Sequence, residues 1–417
     1  MITSKSRIFS VLLSFSALMC SVSCAQEKKQ FPKRAERIAE HITYKPFAAE
    51  PHSEYILDKT VDLKGNAWRL PEGMTIICRG GKFRNGLLAG NGTHIKGDSV
   101  AFDHVNIRGT WNVPQISTAM FEDLSYDNAL RDVVALSNPK MQNTITIGKG
   151  NYTFALKEGD DIGIELKDSV NLILDGTLTM KPSGLFYYDI ICIEGTNIDI
   201  SGKGSIIGDR KTHRGDSGEW GMGIRFNGAH QCSIDGLTIQ NCWGDGIYIS
   251  KKSSNIMIRN CNISKCRRQG VTVGAATDIL IDDVNVSDIA GTKPEYAIDI
   301  EPNKRDSASN VIVRRMTTKN CMGAFKATLN RESSVTNVVF EDCKAYNTGK
   351  WPVFKIKGCK DVTVKGCEVV GSKSKYAIVA TKNDNIFFRD NIFSLNNKLF
   401  YSTNGITIER NKVNRKK

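Results

Sequence analysis

Asp245, Asp299 and Glu301 are the residues of this chain whose type and spacing best suit acid–base chemistry. Asp299 and Glu301 sit one alternation step apart, about 6.6–7 Å along an extended strand. Asp245 falls two repeats earlier. Two carboxylates about 6.5–9.5 Å apart can hydrolyse a glycosidic bond with inversion, one protonating the leaving oxygen while the other activates water. Which is acid and which is base depends on which is more desolvated, so the sequence leaves that assignment open. Asp245 carries a condition. Simple alternation places it on the side of Ile247, and only a break at Gly246 turns it outward.

The same carboxylates support a second chemistry, β-elimination on a uronate-containing glycan. There a cation neutralises the uronate carboxyl and a base removes the C5 proton. Asp245, Asp299 and Glu301 offer hard oxygen ligands for calcium. Arg268 or Lys326 would be the base, given surroundings that strip its proton. No compact calcium-loop motif accompanies them, and the hydrolytic route needs no cofactor. A third reading keeps these residues on a noncatalytic glycan-binding or structural surface.

Residues at corresponding bends complete a candidate cleft: Glu219, Trp220, Trp243, Arg267, Gln269 and Tyr296, with Arg225 and Tyr248 at outward strand positions. Aromatic rings offer flat apolar faces to sugars, and carboxylates and arginines bind hydroxyls or charge. The charged segment 208–216 precedes them and holds His213, one of six histidines. A loop histidine is most often a plain surface residue; here it is also a candidate substrate contact.

These residues are carried by a loose repeat of about two dozen residues. Phrases such as NIMIRNCNIS from Asn255, DILIDDVNVS from Asp278 and NVVFEDCKAYN from Asn337 read as strand, tight bend, strand. Their period is two and not 3.6, which excludes helical repeats. A second register overlays the first: GMGIRF, GDGIYI, RQGVTV, YAIDI, GAFKAT, PVFKIK and KYAIVA. It aligns Ile224, Ile247, Val271, Ile298, Phe325, Phe354 and Ile378 as an inward stack. Arg225, Tyr248, Thr272, Asp299, Lys326, Lys355 and Val379 form the outward row. Units this short bury their apolar face only by stacking. The expected fold is all-β, a right-handed parallel β-helix with an N-terminal cap, its hand following the usual parallel crossover. A propeller would need longer four-stranded units.

Residues 1–24 read as a lipoprotein-type signal: Lys5 and Arg7, an apolar run from Ile8 to Met19, then small residues before Cys24, the expected lipidation site. Residues 25–56 form a tether and N-terminal extension, and 57–417 the β-helix, with an insertion or cap-like segment near 115–140. The chain is therefore expected outside the cytoplasm, anchored by lipid at the outer membrane or cell surface, or else periplasmic or secreted. No later apolar run is long enough to span a bilayer. The twelve cysteines include ten beyond Cys20 and Cys24. Several recur one repeat apart, as Cys242 and Cys266 do, and read as a thiol ladder in the core. A formal charge of +13 favours acidic partners. At a cell surface an acidic polysaccharide fits. Nucleic acid does not, since no recognition helix, zinc-finger spacing or arginine-rich arm is present.

The stretches GGKFRNGLLAGNGTHIKG, WGMGIRF, NCWGDGIYIS and YAIDIEPN resemble phrases of secreted right-handed β-helix proteins in the pectate-lyase-like superfamily. That group holds polysaccharide lyases, polygalacturonase-type hydrolases and tailspike-like depolymerases, and the likeness is to its bacterial surface lipoproteins. The resemblance covers roughly 57–417 and implies architecture better than chemistry. Asp245 in GDGI resembles the aspartate of the hydrolases' NTDGI-like phrase. Their paired DD one rung later is Arg268-Gln269 here. Their GHG phrase has no match, Tyr296-Ala297-Ile298 standing in that region, so the hydrolase carboxylate set is not carried over intact.

Overall fold

The computed structural model describes residues 42–97, 100–403 and 405–415. The expected signal, Cys24 and most of the tether lie outside them. From residue 115 onward the chain winds as a parallel solenoid whose strands stack into three long sheets of ten, eleven and twelve strands. Residues 45–111 form a further seven-stranded sheet ahead of it. Near the solenoid's start lie the short 3₁₀ turn Thr118–Met120 and the α-helix Ala129–Val134, which buries Leu130 and Val133. No separate N-terminal cap is seen among the described residues, because Lys45–Pro46 and Glu54–Leu57 are themselves sheet strands.

The core follows from alternation. Ile224, Ile247, Val271, Ile298, Phe325, Phe354 and Ile378 stand in direct register on successive strands. All are buried, and Phe325 stacks on Phe354 at 4.8 Å. Burying each such side chain is worth about 1.5–3 kcal/mol. Bends repeat as strictly: Asn255, Asp278, Asn310, Asn337, Asp361 and Asn385 hold φ between 52° and 58°. Asparagine and aspartate tolerate this left-handed conformation, and their side chains link rungs, Asn310 Nδ2 donating to Asp278 at 2.8 Å. The ten cysteines after Cys24 are free, buried thiols.

Candidate active site

The ten-stranded sheet carries the candidate site. Its outward row runs Arg225, Tyr248, Thr272, Asp299, Lys326, Lys355 and Val379 in unbroken register. A second outward position opens where alternation breaks at Gly246. A Cβ there would lie 2.5 Å from Ile263 Cγ2, among core side chains, so Gly246 and Ile247 both face inward. Only glycine fits this approach, and the break turns Asp245 outward. Gly270 repeats it one rung on, 2.5 Å from Val286 Cγ1, and frees Gln269 beside Asp245.

Arg268 Nη1 lies 3.0 and 3.2 Å from the two Asp245 carboxylate oxygens, and Thr272 Oγ1 is 2.7 Å from Oδ2. Arg268 also donates to Gln269 Oε1 at 3.1 Å, and Gln269 Nε2 donates to Asp299. Lys326 Nζ then sits 2.9 Å from both Asp299 and Glu301, and Thr328 donates to Glu301 at 3.3 Å. Glu219 closes the other end, 3.7 Å from Arg268 Nε. Asp245, Asp299, Arg268 and Lys326 are buried, while Glu219 and Glu301 form a partly open rim.

Burial governs the protonation of this chain of charges. Desolvation pushes the Asp299 carboxyl up to about 6, against the opposing pull of Lys326. Asp245 is also raised by burial, with Arg268 opposing. Burial alone would lower Lys326 and Arg268. The facing carboxylates outweigh it, and both cations hold their protons more firmly than usual. Asp299 Oδ1, Tyr296 OH and Arg268 Nε are buried without a hydrogen-bond partner among the described residues.

Other expected contacts fall elsewhere. Trp243, expected as a sugar platform, has no free face: His213 stacks on one at 3.8 Å and the Arg267 guanidinium covers the other at 3.7 Å. The His213 side chain is buried, its Nδ1 2.9 Å from Asp209, which also accepts from Tyr188 and Ser183. Arg267 donates to the carbonyls of Gly218 and Asp216. This trio therefore fastens the 208–219 segment to the sheet, because the segment folds back over the rings. Arg225 belongs to a neighbouring cluster, between the Tyr187 and Tyr248 rings and 3.6 Å from Asp189. Tyr296 is buried with its ring over Gly323. Trp220 stays half-buried, edge to face with the exposed Phe186 at 5.0 Å. Phe186 and Thr328 escaped the sequence reading, and Asp209 entered it only as part of the charged segment 208–216. Thr272 stood in the outward row, but as a neutral residue it gave no signal of its role.

Among the described residues no group of three or more His, Cys, Asp or Glu is arranged to hold a metal ion. Asp245, Asp299 and Glu301 instead face Arg268 and Lys326. The donor set does not fit calcium.

Residues 155–301 and 251–414 match the family described as right handed beta helix region, and the chain belongs to that family. Its fold is a right-handed parallel β-helix. Among curated proteins it is similar to the uncharacterized protein YclG of Bacillus subtilis, 29% identical over 39% of this chain and 32% of the relative. It also resembles the SPbeta prophage-derived uncharacterized protein YorA of Bacillus subtilis, 25% identical over 52% of this chain and 40% of the relative. The chain thus spans 32% and 40% of the length of these two curated relatives. Among solved structures it is similar to a tailspike protein of Escherichia coli bacteriophage HK620 in complex with pentasaccharide. That match has a TM-score of 0.55 at 17% identity, covering 73% of this chain and 61% of the other. An exopolygalacturonase from Thermotoga maritima matches with a TM-score of 0.51 at 13% identity, covering 72% and 91%. At these identities the likeness is one of fold.

Proposed function

We propose that this protein is an extracellular carbohydrate-active enzyme that hydrolyses an acidic polysaccharide with inversion, using Asp299 and Asp245. The observation that carries the reading is Asp299: buried, with a pKa of about 6, and with one carboxyl oxygen unpartnered. A carboxyl of that kind stays protonated in mildly acidic surroundings and can donate to a leaving glycosidic oxygen. Asp245, whose charged form Arg268 and Thr272 favour against the upward push of burial, accepts a proton from water as the water attacks the anomeric carbon. The C–O bond breaks and a new hydroxyl forms with inverted configuration. Gln269 and Thr272 stand between the two carboxylates, Gln269 donating to Asp299 and Thr272 to Asp245. Glu301 fits the second role less well, because sharing one ammonium with Asp299 holds the pair closer than the about 6.5–9.5 Å of inverting sites.

Asp299 is fully buried, so a glycan must open the site from the rim formed by Glu219 and Glu301. The charge of +13 supports an acidic chain, and the pentasaccharide-bound tailspike and the exopolygalacturonase support a glycan as partner. β-Elimination is disfavoured because Lys326 and Arg268, its candidate bases, are held protonated. Anchoring at the cell surface through Cys24 completes the reading. The test is a panel of plant, host and bacterial glycans, with and without chelator, followed by reducing ends and by unsaturated-uronate absorbance. New reducing ends without that absorbance are expected. Unsaturated ends would make it a lyase, and binding without products a noncatalytic glycan binder.

A further inference from the structure

The outer face of the twelve-stranded sheet carries two rows that the proposed reaction does not use. One is apolar: Met257, Leu280, Ile312 and Val339 lie in direct register, with Met257 37% and Ile312 41% exposed. Two residues along each strand runs a row of alternating charge: Asp235, Arg259, Asp282, Arg314, Glu341, Lys365. On the other flank stands the asparagine and aspartate row at the bends. Leu280 and Val339, between and beside Met257 and Ile312, are half-buried, and an apolar stripe that reaches solvent and is rimmed by polar residues marks an interaction surface.

We propose that this face pairs with a second copy of the chain about a two-fold axis lying along the strand direction, with the two solenoid axes antiparallel. The charge order selects that partner and that geometry. A two-fold between the rungs of Asp282 and Arg314 reverses the ladder. It then sets Asp282 against Arg314, Arg259 against Glu341 and Asp235 against Lys365, so every facing pair is of opposite sign. The same operation lays Leu280 on Ile312 and Met257 on Val339, apolar on apolar. A two-fold along the solenoid axis would put the charges over the bend row, and a copy in parallel register would face each charge with itself. Such an isologous contact closes on itself as a dimer. Six rungs span about 25–30 Å, a face at the small end for a stable complex, so the dimer is concentration-dependent.

Sedimentation velocity across a concentration series of the full chain tests this. A monomer–dimer equilibrium is expected, and Ile312→Asp should raise its dissociation constant about tenfold or more. Ile312 is solvent-facing, so circular dichroism of that variant should match wild type. Arg259→Glu and Glu341→Arg should each weaken the homodimer, and an equal mixture of the two should recover association through the restored opposite pair. A wild-type chain monomeric throughout overturns the proposal. So does a dimer indifferent to Ile312→Asp, or a mixture associating no better than its components.

Discussion

Two outer faces of one solenoid, built on the same repeat, treat charge in opposite ways. On the twelve-stranded sheet Asp235 and Arg259 pair at 3.0 Å, with Arg259 half-exposed. Asp282 is partly desolvated, yet hydrogen bonds and charge from Arg314 and Arg315 hold its carboxyl below the usual range. On the ten-stranded sheet Asp299, Lys326, Asp245 and Arg268 also make close pairs, but under cover. There burial wins, Asp299 rises to about 6, and one of its oxygens goes without a partner. The difference is solvent access rather than residue type. Where water reaches a pair, as at Asp235 and Arg259, the field is weak; under cover, as at Asp299 and Lys326, it is strong and protonation shifts.

Exchanging equivalent residues between the faces gives the largest expected effect. Asp299→Asn should lower kcat about 10³-fold, the range of a lost general acid, while Asp282→Asn leaves turnover unchanged. Reducing-end assays on the active glycan read both. Wild-type turnover by the Asp299→Asn enzyme removes Asp299 from the acid role. Stability separates the faces next. Arg268→Met strands the buried Asp245 carboxylate and should cost about 3 kcal/mol or more at neutral pH in denaturant unfolding. The deficit should narrow as acid protonates Asp245, because a neutral carboxyl no longer needs the guanidinium.

Much of this contrast was legible in the sequence. The outward row from Arg225 to Lys355 lies in the register that alternation gives, and Gly246 is the break that Asp245 required. Alternation tells in from out, but it cannot tell an outer face that is covered from one that is open. That depends on side chains of neighbouring rungs closing over one another. Trp243 shows the second limit. Its composition and bend position point to sugar stacking, yet His213 and Arg267 occupy both faces because the 208–219 segment returns over the sheet. A loop's path is set by tertiary contacts that no period encodes.

The pH profile sharpens the comparison with a smaller effect. In the proposed reaction Asp299 acts in its protonated form, so turnover should fall as pH rises through about 6. Desolvation raises that pKa and the Lys326 ammonium lowers it by stabilising the carboxylate. Lys326→Met removes the lowering influence and leaves Glu301 to repel the charged form. The alkaline limb of kcat should therefore move to higher pH. A limb that stays in place while kcat remains measurable would assign it to another group.

The smallest effect belongs to the exposed ladder. Arg259→Gln removes the partner of Asp235, a pair in which both side chains reach water. Solvent screening and side-chain entropy leave such pairs worth about 0.5 kcal/mol or less, and added salt should shrink even that. Unfolding is best followed at a protein concentration low enough to keep the chain monomeric, so that loss of the facing Glu341 contact does not enter. A cost comparable with that of Arg268→Met would mean that the two faces do not differ in solvent access as their exposures indicate. A negligible cost here, beside a large one there, assigns the difference to desolvation, since both substitutions remove one arginine from one aspartate on the same scaffold.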